Sequence, residues 1–378
     1  MAIRRLRYEI PSEEKKHVFL QTKPMRMETF VEGRIKAFAS LGAYLRQIGA
    51  DPVFAALLPR VEAENPFFTP QNVYQALAEW GRVLTEENLH DWLFPYADRL
   101  PQKGRRLALI MAGNLPLVGF HDYLCGLICG CPLQIRLSSK DALLLPFLHQ
   151  KLRQLTPLGT GFAEGEHAQV FFTNGKMEAF DAIIATGSGN TFRYFDYYFG
   201  RYPHLLRHNR ASCAVLTGKE TEAEIRLLGN DIFAYFGLGC RSVSKLYVPE
   251  GYDMPALVGA LAEISRPLHQ TACYRNNYDY HKSIFLVNRQ AHLDNGSSLW
   301  VESEALTSPV SVVHYQTYSD SEALRKTLTG LKDSLQCVVG AGHIPFGQAQ
   351  SPLLNDYADG VDTLDFLCKT VSVKQGEK

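Results

Sequence analysis

Residues 106–137 decide the fold, and they read RLALIMAGNLPLVGFHDYLCGLICGCPLQIRL. The short apolar run Arg106–Met111 predicts a buried strand, which the turn AGNLP then breaks. Val118–Cys129 continues as an apolar helix, and a Gly-Cys-Pro turn ends that helix before Leu133–Leu137 resumes as a strand. A strand, a turn, a helix and a second strand in this order form the building block of a parallel α/β sheet.

The same alternation of short apolar runs and amphipathic segments extends over the rest of the chain. It predicts an α/β protein with mostly parallel connections, arranged in two lobes. The other predicted helices cover residues 27–45, 69–83, 143–155, 222–236, 255–264 and 321–331, and one more begins near Phe192. The other predicted strands cover 168–172, 181–185, 213–216, 245–248, 284–287, 310–315, 337–339 and 365–374.

The composition is that of an ordinary globular protein. Of its 378 residues, 46% are apolar and 21% are charged, and 39 Lys and Arg balance 39 Asp and Glu. These values exclude a disordered, collagen-like or disulfide-scaffold protein, and the zero net charge gives no electrostatic basis for binding nucleic acid. No long uninterrupted apolar stretch occurs, and the basic N-terminus has no apolar region behind it. We therefore expect no membrane insertion, no signal peptide and a cytoplasmic location.

Eight cysteines without a secretory signal indicate reduced thiols in the cytosol. Cys125, Cys129 and Cys131 cluster but lack the second pair of a structural zinc site, so we interpret them as packing residues and predict no metal. Cys240 lies in the turn GLGCRSVS between a helix and a strand, and Arg241 follows it. A positive neighbourhood lowers the pKa of a thiol and favours a nucleophile. A small buried residue that closes the helix fits this position as well.

A second polar turn follows the strand predicted over 181–185. It reads TGSGNT over residues 186–191 and precedes the helix near Phe192. Glycines and hydroxyl groups at a strand-to-helix turn suit a phosphate-bearing ligand, because the backbone approaches closely and free N–H groups point outward. An ordinary tight turn accounts for the same residues equally well.

Five motifs in a fixed order connect these fragments. They are AGNLP at 112–116, TGS at 186–188, Gly239-Cys240, SPV at 308–310 and PFG at 345–347. In this order they resemble the aldehyde dehydrogenase superfamily, which implies a Rossmann-type cofactor domain and an α/β catalytic domain. Within it, residues 105–370 resemble the acyl-CoA reductases of the bioluminescence type, the reductase component of fatty acid reductase complexes. The first hundred residues match less clearly.

The resemblance implies roles for two catalytic residues. Cys240 falls on the family's nucleophilic cysteine. Asn114 falls on the asparagine whose side-chain amide forms an oxyanion hole with the backbone N–H of Cys240. One donor of this kind contributes about 2.7–4 kcal/mol of transition-state stabilisation.

The resemblance also implies a cofactor site on two of the turns. Gly187 falls on the turn that meets the cofactor pyrophosphate, and Arg136 falls where relatives carry a lysine near the adenine ribose. Arg136, or Lys140 nearby, would pair with a 2′-phosphate, which favours NADPH over NADH. Surface positions for both cations are the alternative. The implied cofactor-binding residues are Gly113, Arg136, Ser138, Lys140, Thr186, Gly187 and Ser188.

One departure from the superfamily bears on the reaction. Hydrolytic aldehyde dehydrogenases carry a glutamate before the strand that precedes the cysteine helix, and it activates the deacylating water. Here residues 205–212 read LLRHNRAS, and no Asp or Glu lies between Asp196 and Glu220. A thioester reductase needs this loss, because hydrolysis would consume its acyl-enzyme. His204 or His208 could replace the base, but a structural or surface role is the alternative for both.

The sequence thus predicts an aldehyde-dehydrogenase-like α/β fold, with a cofactor domain over 1–212 and 343–378 and a catalytic domain over 213–342. The predicted reaction is the NADPH-dependent reduction of an acyl-CoA, a fatty acyl-CoA above all, to the aldehyde through an acyl-cysteine. The alternatives are an oxidoreductase of this fold that acts on a small aldehyde or acyl-phosphate, and a non-catalytic subunit of an acyl-transfer complex.

Two further expectations concern partners and the acyl group. The strand predicted over 365–374 resembles one that pairs with a neighbouring subunit, so we expect a homodimer or larger assembly, and the resemblance allows for an acyl-activating partner enzyme. The aromatic residues at 194–199 suit an apolar acyl tunnel or, equally, a packed helix face.

Overall fold

The computed structural model describes residues 28–156, 170–187, 195 and 197–371, and these form two β-sheets with helices packed around them. The helices are α1 (Thr29–Leu45), α2 (Pro52–Glu64), α3 (Pro70–Val83), α4 (Glu86–Leu93), α5 (Phe120–Ile128), α6 (Leu144–Leu155), α7 (Glu222–Phe233), α8 (Met254–Ala260), α9 (Ala262–Ser265), α10 (Ala272–Val287), α11 (Ser321–Gly330) and α12 (Thr363–Thr370). The strands are β1 (Leu107–Ile110), β2 (Leu133–Arg136), β3 (Val170–Phe172), β4 (Ala182–Thr186), β5 (His204–Arg207), β6 (Ala211–Val215), β7 (Val243–Pro249), β8 (Leu293–Asp294), β9 (Leu299–Glu302), β10 (Val312–Tyr318) and β11 (Leu335–Gly340).

The first sheet is parallel, in the order β3-β2-β1-β4-β5. The chain moves outward from β1 through β2 to β3 and then returns to place β4 on the other side of β1. In sheets of this type, ligands bind beyond the carboxyl ends of the strands where the strand order reverses. That point lies between β1 and β4, and the strands predicted at 106–111, 133–137 and 181–185 are confirmed there.

The second sheet has the order β11-β6-β7-β10-β9-β8 and is parallel except for the short pair β8/β9. Helix α7 connects β6 to the turn before β7, and a capping box begins it. The Thr221 hydroxyl accepts a hydrogen bond from Glu224 N–H, and the Glu224 carboxylate accepts one from Thr221 N–H. Both donors are thereby satisfied at the helix end. Leu228 and Ile232 of α7 are buried in the core of this sheet.

The core of the first sheet contains residues from distant parts of the chain. Cys125, Cys129 and Cys131 are fully buried in it, which confirms that this cluster packs the interior. Leu364 and Leu367 of α12 join the same core, although the whole second sheet separates them in sequence from β1. The C-terminal segment therefore returns to the first sheet.

The strand predicted at 284–287 is wrong, because these residues form the last turn of α10. Tyr274, Tyr278 and Phe285 recur along this helix at intervals of four and seven residues, and all three are buried. That spacing places them on one helical face. The apolar end of the helix, IFLV, has a composition that a strand shares.

The strand predicted at 365–374 is also wrong, because α12 occupies this segment up to Thr370. The Asp362 carboxylate caps the helix by accepting a hydrogen bond from Asp365 N–H. Leu364, Leu367 and Val371 are buried at intervals of three and four residues, a helical rather than an alternating pattern. Residues 372–374 lie outside the described part of the chain. Among the described residues, no terminal strand is present to pair with a neighbouring subunit.

Candidate active site

The predicted cofactor residues follow strands that end at the same edge of the first sheet. Ile110, near the end of β1, pairs with Arg136 on one side and with Ala185 on the other. The turn after β1, the loop after β2 and Gly187 after β4 therefore lie next to one another. This edge is also where the strand order reverses.

Gly113 contacts the loop after β2 closely. A Cβ atom on Gly113 would lie 2.5 Å from Ser138 Oγ and 3.2 Å from Lys140 Cβ, so only glycine fits here. Arg136 and Lys140 are exposed, and Ser138 is half-buried. The close-packed glycine after β1 and the two exposed cations at the carboxyl end of β2 fit a dinucleotide ligand at this edge. Thr186 and Gly187 are half-buried, and Ser188 and the start of the helix predicted near Phe192 lie outside the described residues.

The loop that carries Cys240, residues 238–242, follows α7 through a strained turn. The helix predicted to Phe236 ends at Phe233, and Tyr235 and Phe236 have φ of 53° and 59°, followed by Gly237 at 75°. Left-handed backbone at two large residues is costly and persists only where the surroundings impose it. The Phe236 ring is held between Phe67 and Tyr274, with centroids 5.4 and 5.7 Å away. The turn therefore aims Gly239 and Cys240 in a fixed direction.

The turn after β1, which carries Asn114, contacts the loop that leads to Cys240 before β7. Asn114 is exposed in the turn after β1, and its Nδ2 donates a hydrogen bond to the Leu238 carbonyl at 3.1 Å. A Cβ atom on Gly239 would lie 3.0 Å from Leu115 Cδ1, so the Leu115 side chain packs closely against the backbone of Gly239. The amide that the resemblance assigns to an oxyanion hole thus binds the carbonyl of Leu238, the residue two positions before the proposed nucleophile.

The surroundings of Cys240 act on its thiol in opposite directions. Burial raises the pKa of the Cys240 thiol, and the positive charge of Arg241 opposes that shift. Arg241 is held in place because its Nε donates to the Ala349 carbonyl at 2.5 Å. The Cys240 carbonyl accepts from Ser212 Oγ at 2.8 Å, which ties the loop to β6.

The segment that lacks a carboxylate in sequence forms β5 and the turn after it. Leu206 of β5 pairs with Ala185 of β4. The guanidinium of Arg207 is buried against Asp122, with Nη2 2.6 Å from Oδ1. His204 Nδ1 lies 2.9 Å from the Tyr202 carbonyl. Arg207 and His204 thus have structural partners.

A carboxylate reaches this segment from the C-terminal part of the chain, which sequence analysis missed. Asp359 accepts a hydrogen bond from His208 N–H at 3.2 Å and pairs with Arg210 Nε, also at 3.2 Å. Burial raises the pKa of Asp359, and its negative charge in turn raises the pKa of Cys240. No sequence pattern links Asp359 to β5, because a long-range chain crossing brings them together.

The aromatic run at 194–199 is divided between packing and exposure in its described residues. Phe195 and Phe199 pack against Phe180, whereas Tyr197 and Tyr198 are 82% and 61% exposed. Packing thus explains the buried members of the run.

The described residues contain neither a cluster of metal ligands nor a membrane-spanning helix. No group of three or more His, Cys, Asp or Glu side chains there is arranged to hold a metal ion. In the same part of the chain, no helix combines the length and the apolar character needed to cross a membrane.

Comparisons with known proteins give the fold. No family model and no curated protein matches the sequence. Aldehyde dehydrogenase 21 from Physcomitrella patens superposes with a TM-score of 0.63 at 13% identity, over 92% of this chain and 85% of that one. An aldehyde dehydrogenase mutant from Bacillus cereus gives 0.58 at 14% identity, over 83% and 72%. Proline utilization A from Bradyrhizobium japonicum gives 0.58 at 14% identity, over 83% of this chain but 37% of that one.

The chain therefore has the aldehyde dehydrogenase fold. It spans little more than a third of the length of proline utilization A. At identities of 13–14%, the likeness establishes the architecture and leaves the reaction to be argued from the site.

Proposed function

We propose that this protein is an oxidoreductase that reduces an acyl thioester, an acyl-CoA above all, to the aldehyde with NADPH through an acyl-Cys240 intermediate. The observation that carries the proposal is the contact of the Asn114 amide with the Cys240 loop. It lies beside the sheet edge where Gly113 meets Ser138. A nucleophile, an oxyanion donor and a dinucleotide edge are thereby combined.

The first half of the reaction belongs to Cys240 and Asn114. The Cys240 thiolate attacks the thioester carbonyl, and Asn114 Nδ2 and the Cys240 N–H stabilise the oxyanion. Asn114 must exchange its hydrogen bond to Leu238 for one to the substrate. The carbon–sulfur bond to CoA then breaks, CoA leaves as a thiolate, and the acyl group remains on Cys240.

The second half returns Cys240 to its starting state. When bound along Gly113, Ser138 and Gly187, NADPH supplies the hydride that reduces the acyl carbon. Asn114 and the Cys240 N–H again hold the negative oxygen, now of a thiohemiacetal. Its collapse breaks the bond to sulfur, which releases the aldehyde and the Cys240 thiolate. In this proposal, residues 1–212 and 343–378 form the cofactor domain and residues 213–342 the catalytic domain.

Replacing the nucleophile tests the proposal directly. Wild-type protein incubated with an acyl-CoA and no NADPH should gain the mass of one acyl group, and Cys240→Ser should not. Cys273→Ser is the matched control, since Cys273 is also half-buried but lies on α10. NADPH oxidation should require Cys240 and tolerate the loss of Cys273. If Cys240→Ser reduced acyl-CoA at a near wild-type rate, the assignment would be wrong.

A hydrolytic aldehyde-oxidising enzyme is the second candidate, and Asp359 is the observation in its favour. Its carboxylate lies near enough to Cys240 for its charge to raise the pKa of the thiol. Parallel assays with acyl-CoAs of several chain lengths, an acyl-phosphate and free aldehydes plus NADP⁺ distinguish the two. We also propose that the enzyme prefers fatty acyl-CoAs, and the acyl-CoAs of several chain lengths in the same assays test this preference.

A further inference from the structure

Two buried side chains from different parts of the chain hold the turn that carries Asn114. Asn65 Nδ2 donates to the Gly113 carbonyl at 3.2 Å. Asp141 Oδ2 accepts from Leu117 N–H at 2.8 Å. Leu117 has φ of 59°, a left-handed conformation that a leucine adopts only where neighbouring contacts impose it. The Asp141 carboxylate supplies such a contact at the C-terminal end of the turn.

The burial of Asp141 lowers the stability of the fold more than a purely structural residue at this position would. It is 8% exposed, and its Oδ1 is buried without a hydrogen-bond partner among the described residues. Burial raises the pKa of Asp141 to about 7, with a smaller contribution from the negative charge of Glu64. A carboxyl group with one unsatisfied buried oxygen lowers stability. Such costs are found where a group serves a functional site.

Asp141 also belongs to the loop that carries the proposed cofactor residues. Its N–H donates to the Ser138 carbonyl at 3.1 Å, and Lys140 N–H donates to Ser138 Oγ at 3.2 Å. Ser138 in turn lies against Gly113. The backbone of Asp141 therefore holds it within the loop after β2, and its side chain connects that loop to the turn after β1.

We infer that Asp141 is a positioning residue for acyl transfer: by holding Leu117 N–H, it fixes the turn that aims the Asn114 amide at the oxyanion. The inference rests on the proposed function for the role of Asn114. Asp141 itself touches neither Asn114 nor Cys240 in the hydrogen bonds described, so it acts through the backbone.

Acylation of Cys240 by 4-nitrophenyl acetate tests the inference. This probe needs the oxyanion donors but no CoA, and it releases a coloured product. Asp141→Ala should slow acylation about 100-fold, as expected for an amide displaced by about 1 Å. Asp141→Asn should restore the rate to near wild type, because its carbonyl oxygen can accept from Leu117 N–H. Alkylation of Cys240 by iodoacetamide, which forms no oxyanion, should be unchanged in both variants.

A double-mutant cycle with Asn114 distinguishes positioning from general destabilisation. If Asp141 acts through Asn114, Asn114→Ala combined with Asp141→Ala should be no slower than Asn114→Ala alone. Asp362→Ala, which removes the cap of α12, is the control that lowers the melting temperature without slowing acylation. Additive losses, or a fall in melting temperature with no loss of rate, would overturn the inference.

Two results keep the inference separate from the proposed function. If Asp141→Ala does not fold, Asp141→Ser replaces it, because the shorter serine side chain does not reach Leu117 N–H. A wild-type acylation rate in Asp141→Ser would reject the positioning role. If the wild-type protein reacts with 4-nitrophenyl acetate but not with any acyl-CoA, the proposed function fails while the effect of Asp141 can still be measured.

Discussion

The reactivity of Cys240 is determined by burial and by the charge of Arg241. Burial raises the pKa of the thiol, so little thiolate is present at neutral pH and the alkylation rate should rise about tenfold per pH unit. The midpoint should lie above the ordinary thiol value of about 8.5. Arg241→Gln removes the opposing charge, so it should move the midpoint higher and slow alkylation at neutral pH. The rate is measured with iodoacetamide across pH and assigned to Cys240 by peptide mass.

Arg226→Gln is the control for that experiment, because it removes an exposed cation of α7 and leaves the loop that carries Cys240 unchanged. Its pH profile should match that of the wild type. A midpoint below 8 would show that burial does not raise the pKa of the Cys240 thiol. A midpoint that does not respond to Arg241→Gln would show that the charge of Arg241 does not act on it.

Arg136 and Lys140 should determine the choice of cofactor. Both are exposed at the carboxyl edge of β2, where a 2′-phosphate would lie if NADPH binds as proposed. Replacing either with alanine removes a charge-assisted partner, so KM for NADPH should rise about tenfold while KM for NADH changes little. Lys326→Ala, an exposed cation on α11, should change neither constant. Equal losses with both cofactors would show that these cations do not bind the phosphate.

At the scale of elements, the contact between the turn after β1 and the loop after β2 should control cofactor affinity. Gly113→Ala places a methyl group 2.5 Å from Ser138 Oγ, so that loop must shift. NADPH binding, followed by fluorescence titration, should weaken about tenfold, while alkylation of Cys240 is unaffected. Gly259→Ala on α8 is the control, since nothing lies within 4 Å of its added Cβ. A wild-type affinity in Gly113→Ala would place the cofactor elsewhere.

The local sequence pattern predicts the secondary structure of elements that their own residues determine. Strand β1 is apolar throughout, helix α5 and strand β2 are largely apolar, and glycine and proline lie in the turns between them. The sequence predicts each of these elements. It fails at α12, where β-branched residues at 370, 371 and 373 favour a strand but the Asp362 cap and a buried face impose a helix up to Thr370. Propensity is overridden there by packing on the core of the first sheet.

At the scale of the whole molecule, the site exists only because distant segments meet. The sequence singles out Asn114 and Cys240 as motifs, but the hydrogen bond from Asn114 to Leu238 in the loop before Cys240 depends on how the first sheet packs against the second. Asp359 and the Asp141–Leu117 contact cannot be read from the sequence, because each depends on which buried donors lie opposite a carboxylate after folding. The order of the motifs thus predicts the candidate catalytic residues, and the tertiary contacts determine the charged and hydrogen-bonding groups around them.

The C-terminal segment brings Asp359 close enough to Cys240 for its charge to raise the pKa of the thiol, so the role of Asp359 decides between the two candidate reactions. Burial raises the pKa of this carboxylate, but Arg210 and His208 N–H engage its two oxygens, and a proton taken from water would have to displace one of these contacts. Acyl-Cys240 formed without NADPH should therefore hydrolyse equally slowly, within about twofold, in wild type and Asp359→Asn, as followed by intact-protein mass. Asp356→Asn, a carboxylate of the same segment 4.0 Å from Arg241, is the matched control. A loss of tenfold or more in Asp359→Asn alone would make Asp359 the general base, and aldehyde oxidation would then replace thioester reduction as the proposed reaction.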